Sequence, residues 1–288
     1  MTSLLDTKEQ FIDFLKSKKR SSSTILAYGK DVDQLIVYLN KQEVKNPPDV
    51  KAEQLQSFMD KLAKENYTAK SISRKTNSTK TFFKFLKSTG IIDNDPADSL
   101  VHPFFENKPP RILTKMEYRS LRDASRGDLR MSAVIEVLLQ TGVRIGELSK
   151  INIKDITLDE NPAVYIKPEE GSVERIIPLN KPAAEAVKKY LEIRPESKDQ
   201  ALFITKTGKP LLVRNIRTSI DRYFKSAGIK DTKVNDLRHT WVASQLASGM
   251  SLVMVAKLAG HKRLTTTEKY LQYTPSRTSE NNIKLEEL

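Results

Sequence analysis

Asn235-Asp236-Leu237-Arg238-His239-Thr240 is followed by Leu258-Ala259-Gly260-His261 and then by Thr266-Thr267-Glu268-Lys269-Tyr270. Nearly a hundred residues before Arg238 stands Thr141-Gly142-Val143-Arg144-Ile145-Gly146-Glu147-Leu148. Two arginines, a histidine and a tyrosine are thus set into short turn-and-helix signals. A guanidinium is a rigid fork of donors that matches two phosphate oxygens. A histidine trades a proton near neutral pH, and a tyrosine hydroxyl can attack and form a covalent ester. In combination these side chains suggest cleavage of DNA through a covalent phosphotyrosine.

Composition bounds the partner. The 288 residues carry a formal charge of +13 and a pI near 9.6. Such a balance favours polyanions through counterion release and electrostatic steering. The length predicts two domains, each with its own core. With no cysteine, disulfides and thiolate metal sites are excluded, and a reducing intracellular compartment is expected. With three histidines, His102, His239 and His261, a histidine-built metal site is not expected, and no cofactor is expected. No apolar run approaches the ~20 residues of a membrane span, and the N-terminus lacks a secretory layout. The expected setting is the cytoplasm, in association with the nucleoid and without a membrane.

The basic residues are clustered. Between Glu65 and Asp93 there is no acid, yet Lys70, Arg74, Lys75, Lys80, Lys84 and Lys87 are present. Lys16 to Lys30 is likewise free of acids. Serine, threonine and asparagine interleave these stretches and can also reach phosphate oxygens. Net charge is +4 over residues 1–100 (17 basic, 13 acidic) and +9 over the remainder (32 basic, 23 acidic). Both parts are therefore candidates for gripping one nucleic acid as a clamp.

The periodicity predicts a mainly helical chain with a small β-sheet. Phe11 and Leu15, then Ile25, Tyr28, Val32, Leu35, Ile36 and Leu39, have helical spacing. Ser22, Ser23 and Thr24 are candidate N-caps for the second helix. Gln54–Leu62 and Ser71–Leu86 give a third and fourth helix, with Gly90 as the stop. Asp95-Pro96, His102-Pro103 and Pro109-Pro110 break the pattern, which places a linker at residues 99–110 between domains at 1–98 and 111–275. Thr114 and Glu117 resemble a capping box. Beyond it, Met131–Gln140, Ala183–Leu191, Val213–Ala227, Thr240–Ser248 and Leu252–Leu258 read as helices. Val164–Ile166 and Val173–Leu179 read as the strands of a hairpin around Pro168–Gly171. Residues 276–288 form a polar tail ending in Ile283–Leu288, a candidate docking helix for a neighbouring protomer.

Taken one at a time, none of the motif residues compels a function. Arg144 paired with Glu147 reads as a helix cap, Arg238 as part of a basic patch whose backbone N–H groups could add to anion binding, His261 as a structural histidine, and Tyr270 as core. Their mutual spacing is more specific. Arg-x-x-Glu after Thr-Gly, Leu-Arg-His-Thr some ninety residues on, Gly-His, and a tyrosine nine residues later resemble the tyrosine recombinase family. Ser23-Thr24, Tyr28, Leu35, Leu39, Ser71-Ile72-Ser73, Phe83, Phe85-Leu86, Asn94-Asp95-Pro96-Ala97 and Leu113-Thr114 resemble the SAM-like core-binding domain of Xer-type recombinases and phage integrases. The resemblance covers about residues 8–273.

The resemblance implies a helical core-binding domain, an α+β catalytic domain, and conservative site-specific recombination through a Holliday junction. It implies that Arg144 and Arg238 bind the scissile phosphate, that His261 hydrogen-bonds it or assists proton transfer, and that Tyr270 attacks to give a 3′-phosphotyrosyl link. No ATP or metal is needed for such an exchange. The implied partner is a double-stranded DNA site held by a homotetramer on two DNA sites, with a monomer or dimer free in solution. Two departures stand out. Asn235 occupies a position where the family usually has histidine, and amides do not exchange a proton at neutral pH. Glu170 stands where the family places a lysine that protonates the leaving oxygen, and Lys167 is the nearest substitute. For DNA contact the resemblance points to Arg74, Lys75 and Lys80, and to Arg214 and Arg217. Two alternatives share parts of the pattern, a type IB topoisomerase and a DNA-binding protein with impaired cleavage.

Overall fold

Ser3 opens the first helix by reciprocal capping, its hydroxyl accepting from Asp6 N at 3.2 Å while Ser3 N donates to the Asp6 carboxylate at 3.1 Å. The computed structural model describes residues 3–106, 109–168 and 173–273. The chain divides into two compact units, Met1–Lys108 and Pro109–Leu288.

The first unit holds four long helices, α1 (Leu4–Ser17), α2 (Ser22–Asn40), α3 (Ala52–Lys64) and α4 (Ala69–Ser88). The cap of α2 is Ser21, one residue before the expected group, and accepts from Thr24 N. Gly90, at φ +70°, takes the left-handed turn that stops the chain after α4. The apolar faces meet around Phe11, Leu35, Leu39, Leu55, Phe82 and Phe83, all fully buried, with Phe11 edge-on to Phe82 at 5.3 Å. Each such side chain contributes about 1.5–3 kcal/mol by leaving water.

A buried ion pair sits in this core. Asp31, 4% exposed, accepts from Arg74, from Lys75 Nζ at 2.9 Å and from Ser78 Oγ at 3.0 Å. Lys75 Nζ also donates to Gln34 at 2.5 Å. The expectation that Lys75 faces DNA is therefore corrected: at 6% exposure its ammonium is spent inside the fold, compensating Asp31. Arg74 remains exposed while paired with the same carboxylate, and Lys80 donates to Asp98 O at 3.0 Å.

The second unit is built around α6 (Leu129–Thr141), buried almost all round, with α5 (Lys115–Ser125), α8 (Lys181–Ile193) and α10 (Val234–Ala247) against it. Thr114 and Glu117 form the expected capping box of α5. A three-stranded antiparallel sheet, β1 (Ile156–Thr157), β2 (Ala163–Ile166) and β3 (Arg175–Pro178), pairs Val164 with Ile177 and Ile166 with Arg175. The two-residue β1 gives no periodicity to read in the sequence. Short α7 (Ile145–Leu148) follows α6, and α9 (Val213–Ser226), α11 (Leu252–Ala259) and α12 (Thr265–Glu268) complete the unit.

Helix α10 begins at Val234, six residues before the expected start. Lys233 N donates to the Asp236 carboxylate at 2.7 Å, so a side chain three residues in closes the helix end without the usual Ser, Thr or Asn cap. Arg238 thus lies beyond the first turn, and its backbone N–H does not serve as a helix-end anion donor. Glu170, the hairpin tip and residues 276–288 with Ile283–Leu288 lie outside the described residues. Among the described residues no helix is long and apolar enough to cross a membrane.

Candidate active site

The C-terminal end of α11 gathers three arginines. Leu258 O accepts from Arg175 Nε at 2.7 Å, Ala259 O from Arg238 at 2.7 Å, and Gly260 O from Arg144 at 3.0 Å. The last carbonyls of a helix lack intrahelical donors and carry the negative end of its dipole, so cations settle there. Gly260 turns the chain at φ +67°, and a Cβ at this position would come within 2.7 Å of the Arg175 guanidinium. The Gly-His step of the motif is thereby a packing requirement for the arginine cluster.

A single carboxylate organises two of the three cations. Glu147, one turn after Arg144, accepts from Arg144 N at 2.7 Å and from its guanidinium at 3.0 Å, and takes the Arg175 fork at 2.8 and 3.1 Å. Arg175 reaches it because strand periodicity turns Arg175 and Ile177 inward while Ile176 faces out. Arg238 is different. It is 5% exposed and donates to two carbonyls, Gly142 O at 2.5 Å and Ala259 O at 2.7 Å. Among the described residues no carboxylate forms an ion pair with it. Burial, and then the charge of Arg144, lowers its pKa to about 10, which leaves it a cation at neutral pH. A buried guanidinium beside a second one, with N–H groups to spare, is a receptor for an anion. Gly142 completes the frame at φ +62°, where a Cβ would strike the Trp241 ring at 2.3 Å.

Tyr270 lies between two histidines. Its hydroxyl is 2.5 Å from His239 Nδ1, and its ring stacks with that of His261 at 6.4 Å and 14°. The side chain is 4% exposed, packed with Trp241, Val242 and Val255. Burial raises the phenol pKa, and the Arg238 charge pulls it back. His261 Nδ1 meets Thr267 Oγ1 at 2.7 Å, and burial followed by Arg238 and Arg144 pushes its pKa down to about 4. His239 Nε2 meets the Asn235 amide at 2.7 Å. The other tyrosine of this segment, Tyr273, donates its hydroxyl to Pro110 O at 2.6 Å.

The remaining expected residues are spread around this centre. Arg217, Lys233, Asn235 and Arg238 line one cleft with Leu138, Val143 and Val234. Arg214 and Arg217 are exposed on α9. Lys167, just past β2, pairs with Asp155 at 2.8 Å and shares a small cavity with Glu147 and Lys150. Among the described residues no group of His, Asp and Glu is placed to hold a metal ion.

Residues 111–277 match the model of the phage integrase family, and residues 9–90 match the phage integrase N-terminal SAM-like domain. The chain belongs to the phage integrase family. Among curated relatives it is 30% identical to tyrosine recombinase XerC of Roseiflexus castenholzii, covering 91% of this chain and 87% of that protein. It is 28% identical to tyrosine recombinase XerD of Halalkalibacterium halodurans over 96% of each chain. Among solved structures, a XerA recombinase is 26% identical, covering 93% of each chain with a TM-score of 0.54. The Tn1549 transposon integrase in complex with circular intermediate DNA shares the fold, with a TM-score of 0.77 at 20% identity and 97% coverage of both chains. The expected class, a mainly helical chain with a SAM-like first part and a small sheet, is thus the family's own.

Three participants are not marked by the motif spacing. Arg175 carried no motif signal, although the inward phase of β3 was available to find it. Glu147 was read as a partner of Arg144 and not as a shared anchor. His239 stood within the quoted motif, yet only folding brings it onto Tyr270, thirty-one residues away.

Proposed function

We infer that the chain is a site-specific DNA recombinase that cuts and rejoins DNA through a 3′-phosphotyrosyl intermediate on Tyr270. The buried Arg238, which no carboxylate among the described residues pairs with, lies beside Arg144 with the Tyr270 hydroxyl held nearby, and this carries the reading. In it the two guanidiniums take the non-bridging oxygens of the scissile phosphate and stabilise the charge that grows on them. Neutral His261 adds a hydrogen bond to the same phosphate. The Tyr270 oxygen gives up its proton to an adjacent base and bonds to phosphorus, the P–O5′ bond breaks with its electron pair on O5′, and Lys167 supplies the proton that makes the 5′-hydroxyl. Because the phosphodiester energy is kept in the tyrosyl ester, rejoining needs no nucleotide. Asn235 lines the phosphate cleft as a hydrogen-bond donor.

DNA is the partner. Arg74, Lys80, Arg214 and Arg217 supply contacts to its backbone and grooves in this reading, and a homotetramer on two sites performs paired exchanges through a Holliday junction. The segment Ile283–Leu288 docks on a neighbouring protomer, an assignment that fails if deletion after Ser276 leaves synapsis intact. A SAM-like first domain and full-length likeness to XerC weigh against the topoisomerase alternative.

The test is a nicked suicide substrate carrying the recombination site, from which a short fragment escapes after cleavage and traps the intermediate. Wild-type protein is expected to give a denaturation-resistant protein–DNA adduct that Tyr270→Phe abolishes. Specific binding without an adduct on the same site would reduce the protein to a DNA-binding module. A 5′-bridging sulfur makes the leaving group independent of protonation, so it should restore cleavage to Lys167→Met if Lys167 is the acid.

A further inference from the structure

At position 235 the chain has an amide that cannot take up a proton, yet the nucleophile still meets an imidazole. His239 lies four residues on, and so on the same face of α10 one turn later. Its Nδ1 is 2.5 Å from Tyr270 Oη and its Nε2 is 2.7 Å from the Asn235 amide. The other histidine beside Tyr270 has a different partner: His261 Nδ1 engages Thr267 Oγ1, and its ring lies nearly parallel to that of Tyr270 with centroids 6.4 Å apart. Of the two histidines beside Tyr270, His239 is the one whose ring nitrogen meets the hydroxyl.

We propose that His239 is a catalytic residue of the cleavage step, taking the Tyr270 proton, and that Asn235 is the positioning residue that selects its tautomer. The proposal rests on Tyr270 being the nucleophile. In cleavage the Oη–H proton passes to Nδ1 while the Oη lone pair bonds to phosphorus. The P–O5′ electron pair goes to O5′, which takes a proton from Lys167. In rejoining, the 5′-hydroxyl attacks and returns its proton to Lys167. The P–Oη bond then breaks, and Oη recovers the proton from Nδ1. No co-reactant is consumed.

Asn235 fits this role because its amide has a donor end and an acceptor end. With Nδ2 toward the ring, Nε2 accepts and Nδ1–H donates to Tyr270 Oη, a resting arrangement that holds the phenol in place. With Oδ1 toward the ring, Nε2–H donates and Nδ1 is free to accept the phenol proton. A half turn of one amide thus converts a positioning contact into a proton acceptor. The charged and titratable groups facing His239 are Asp236 and Arg238 on its own helix, His261 from the turn after α11, and Tyr270 after α12. Burial, together with Arg238, depresses its pKa against the opposing pull of Asp236, which keeps the ring neutral and able to accept at pH 7.

The experiment is single-turnover cleavage of the suicide substrate between about pH 5 and 8, with DNA affinity and melting temperature measured alongside. Wild-type cleavage should fall on the acid side as His239 protonates, below the ordinary histidine value of about 6.5. His239→Phe should slow cleavage by about 100-fold at unchanged DNA affinity, the scale of a lost acid–base group, and lose the acid limb. His239→Gln, which hydrogen-bonds but does not titrate, should also lose the limb and serves as the readout if the Phe variant melts early. Asn235→Asp should raise the His239 pKa and move the limb to higher pH. Wild-type rate and an unaltered limb in both His239 variants would overturn the inference and leave Tyr270 as nucleophile. Absence of any wild-type adduct would overturn both.

Discussion

Glu147 is the side chain on which most of the site depends. It is buried and holds Arg144 and Arg175 at once, so removing its charge leaves the buried Arg175 guanidinium without its carboxylate, beside the partly exposed Arg144. Breaking a buried ion pair from one side costs about 3–5 kcal/mol. Glu147→Gln should therefore lower the unfolding free energy of the second unit by roughly that amount, read by chemical denaturation. A variant as stable as wild type would show that the arginines are held by the α11 carbonyls alone. His261 gives a prediction of opposite character. Its pKa, about 4 in the free protein, is depressed by burial and by the nearby arginines, of which a bound phosphate would neutralise Arg238 and Arg144. DNA binding should then raise it, so that the protein takes up a proton on binding at pH values between about 4 and the ordinary 6.5. Calorimetry in buffers of different ionisation enthalpy reads this uptake, and His261→Gln should reduce it. The same depression sets a stability trend. The unfolded chain protonates this histidine first, so its contribution is intact above about pH 6.5 and is lost as the pH falls toward 4.

Among the elements, α4 and α9 separate residues that serve the fold from those that serve the ligand. On α4 the basic run looked uniform in the sequence, but Lys75 points inward to Asp31 and Gln34 while Arg74 stays exposed. Lys75→Met should destabilise the first unit, because Asp31 loses one of its compensating charges, and leave the salt dependence of DNA binding unchanged. Arg214→Ala and Arg217→Ala on exposed α9 should each lower the slope of log K against log salt by about 1 with little change in stability. A lysine inside a basic run carries no sequence mark of its direction, so the inward turn of Lys75 toward Asp31 is not visible in the sequence. Helix cores and the stop at Gly90 are legible because apolar periodicity and a glycine's left-handed turn reflect local backbone chemistry, and Gly142 and Gly260 take the same turn. The start of α10 is not legible, because Lys233 and Asp236 close it without a standard capping residue. Arg144, Arg238, His261 and Tyr270 were legible through fixed spacing. The tertiary meeting of Arg175 with Glu147, and of His239 with Tyr270, has no counterpart in spacing and appears only when β3 and α10 are folded.

For the whole molecule, +13 of charge attracts DNA of any sequence, so affinity alone says little about recombination. In the proposed reading, what distinguishes an enzyme from a basic DNA-binding protein is one oxygen atom, the Tyr270 hydroxyl held by His239 in the neighbourhood of buried Arg238. Tyr273 is three residues away and offers the same functional group, but its hydroxyl is donated to Pro110 O. The decisive measurement is therefore mass spectrometry of the trapped adduct after protease and nuclease digestion, which locates the nucleotide remnant on a single residue. The account predicts a 3′-phosphoryl remnant on the peptide at Tyr270 and none at Tyr273. A remnant on Tyr273, or no remnant from protein that binds the site, would contradict it.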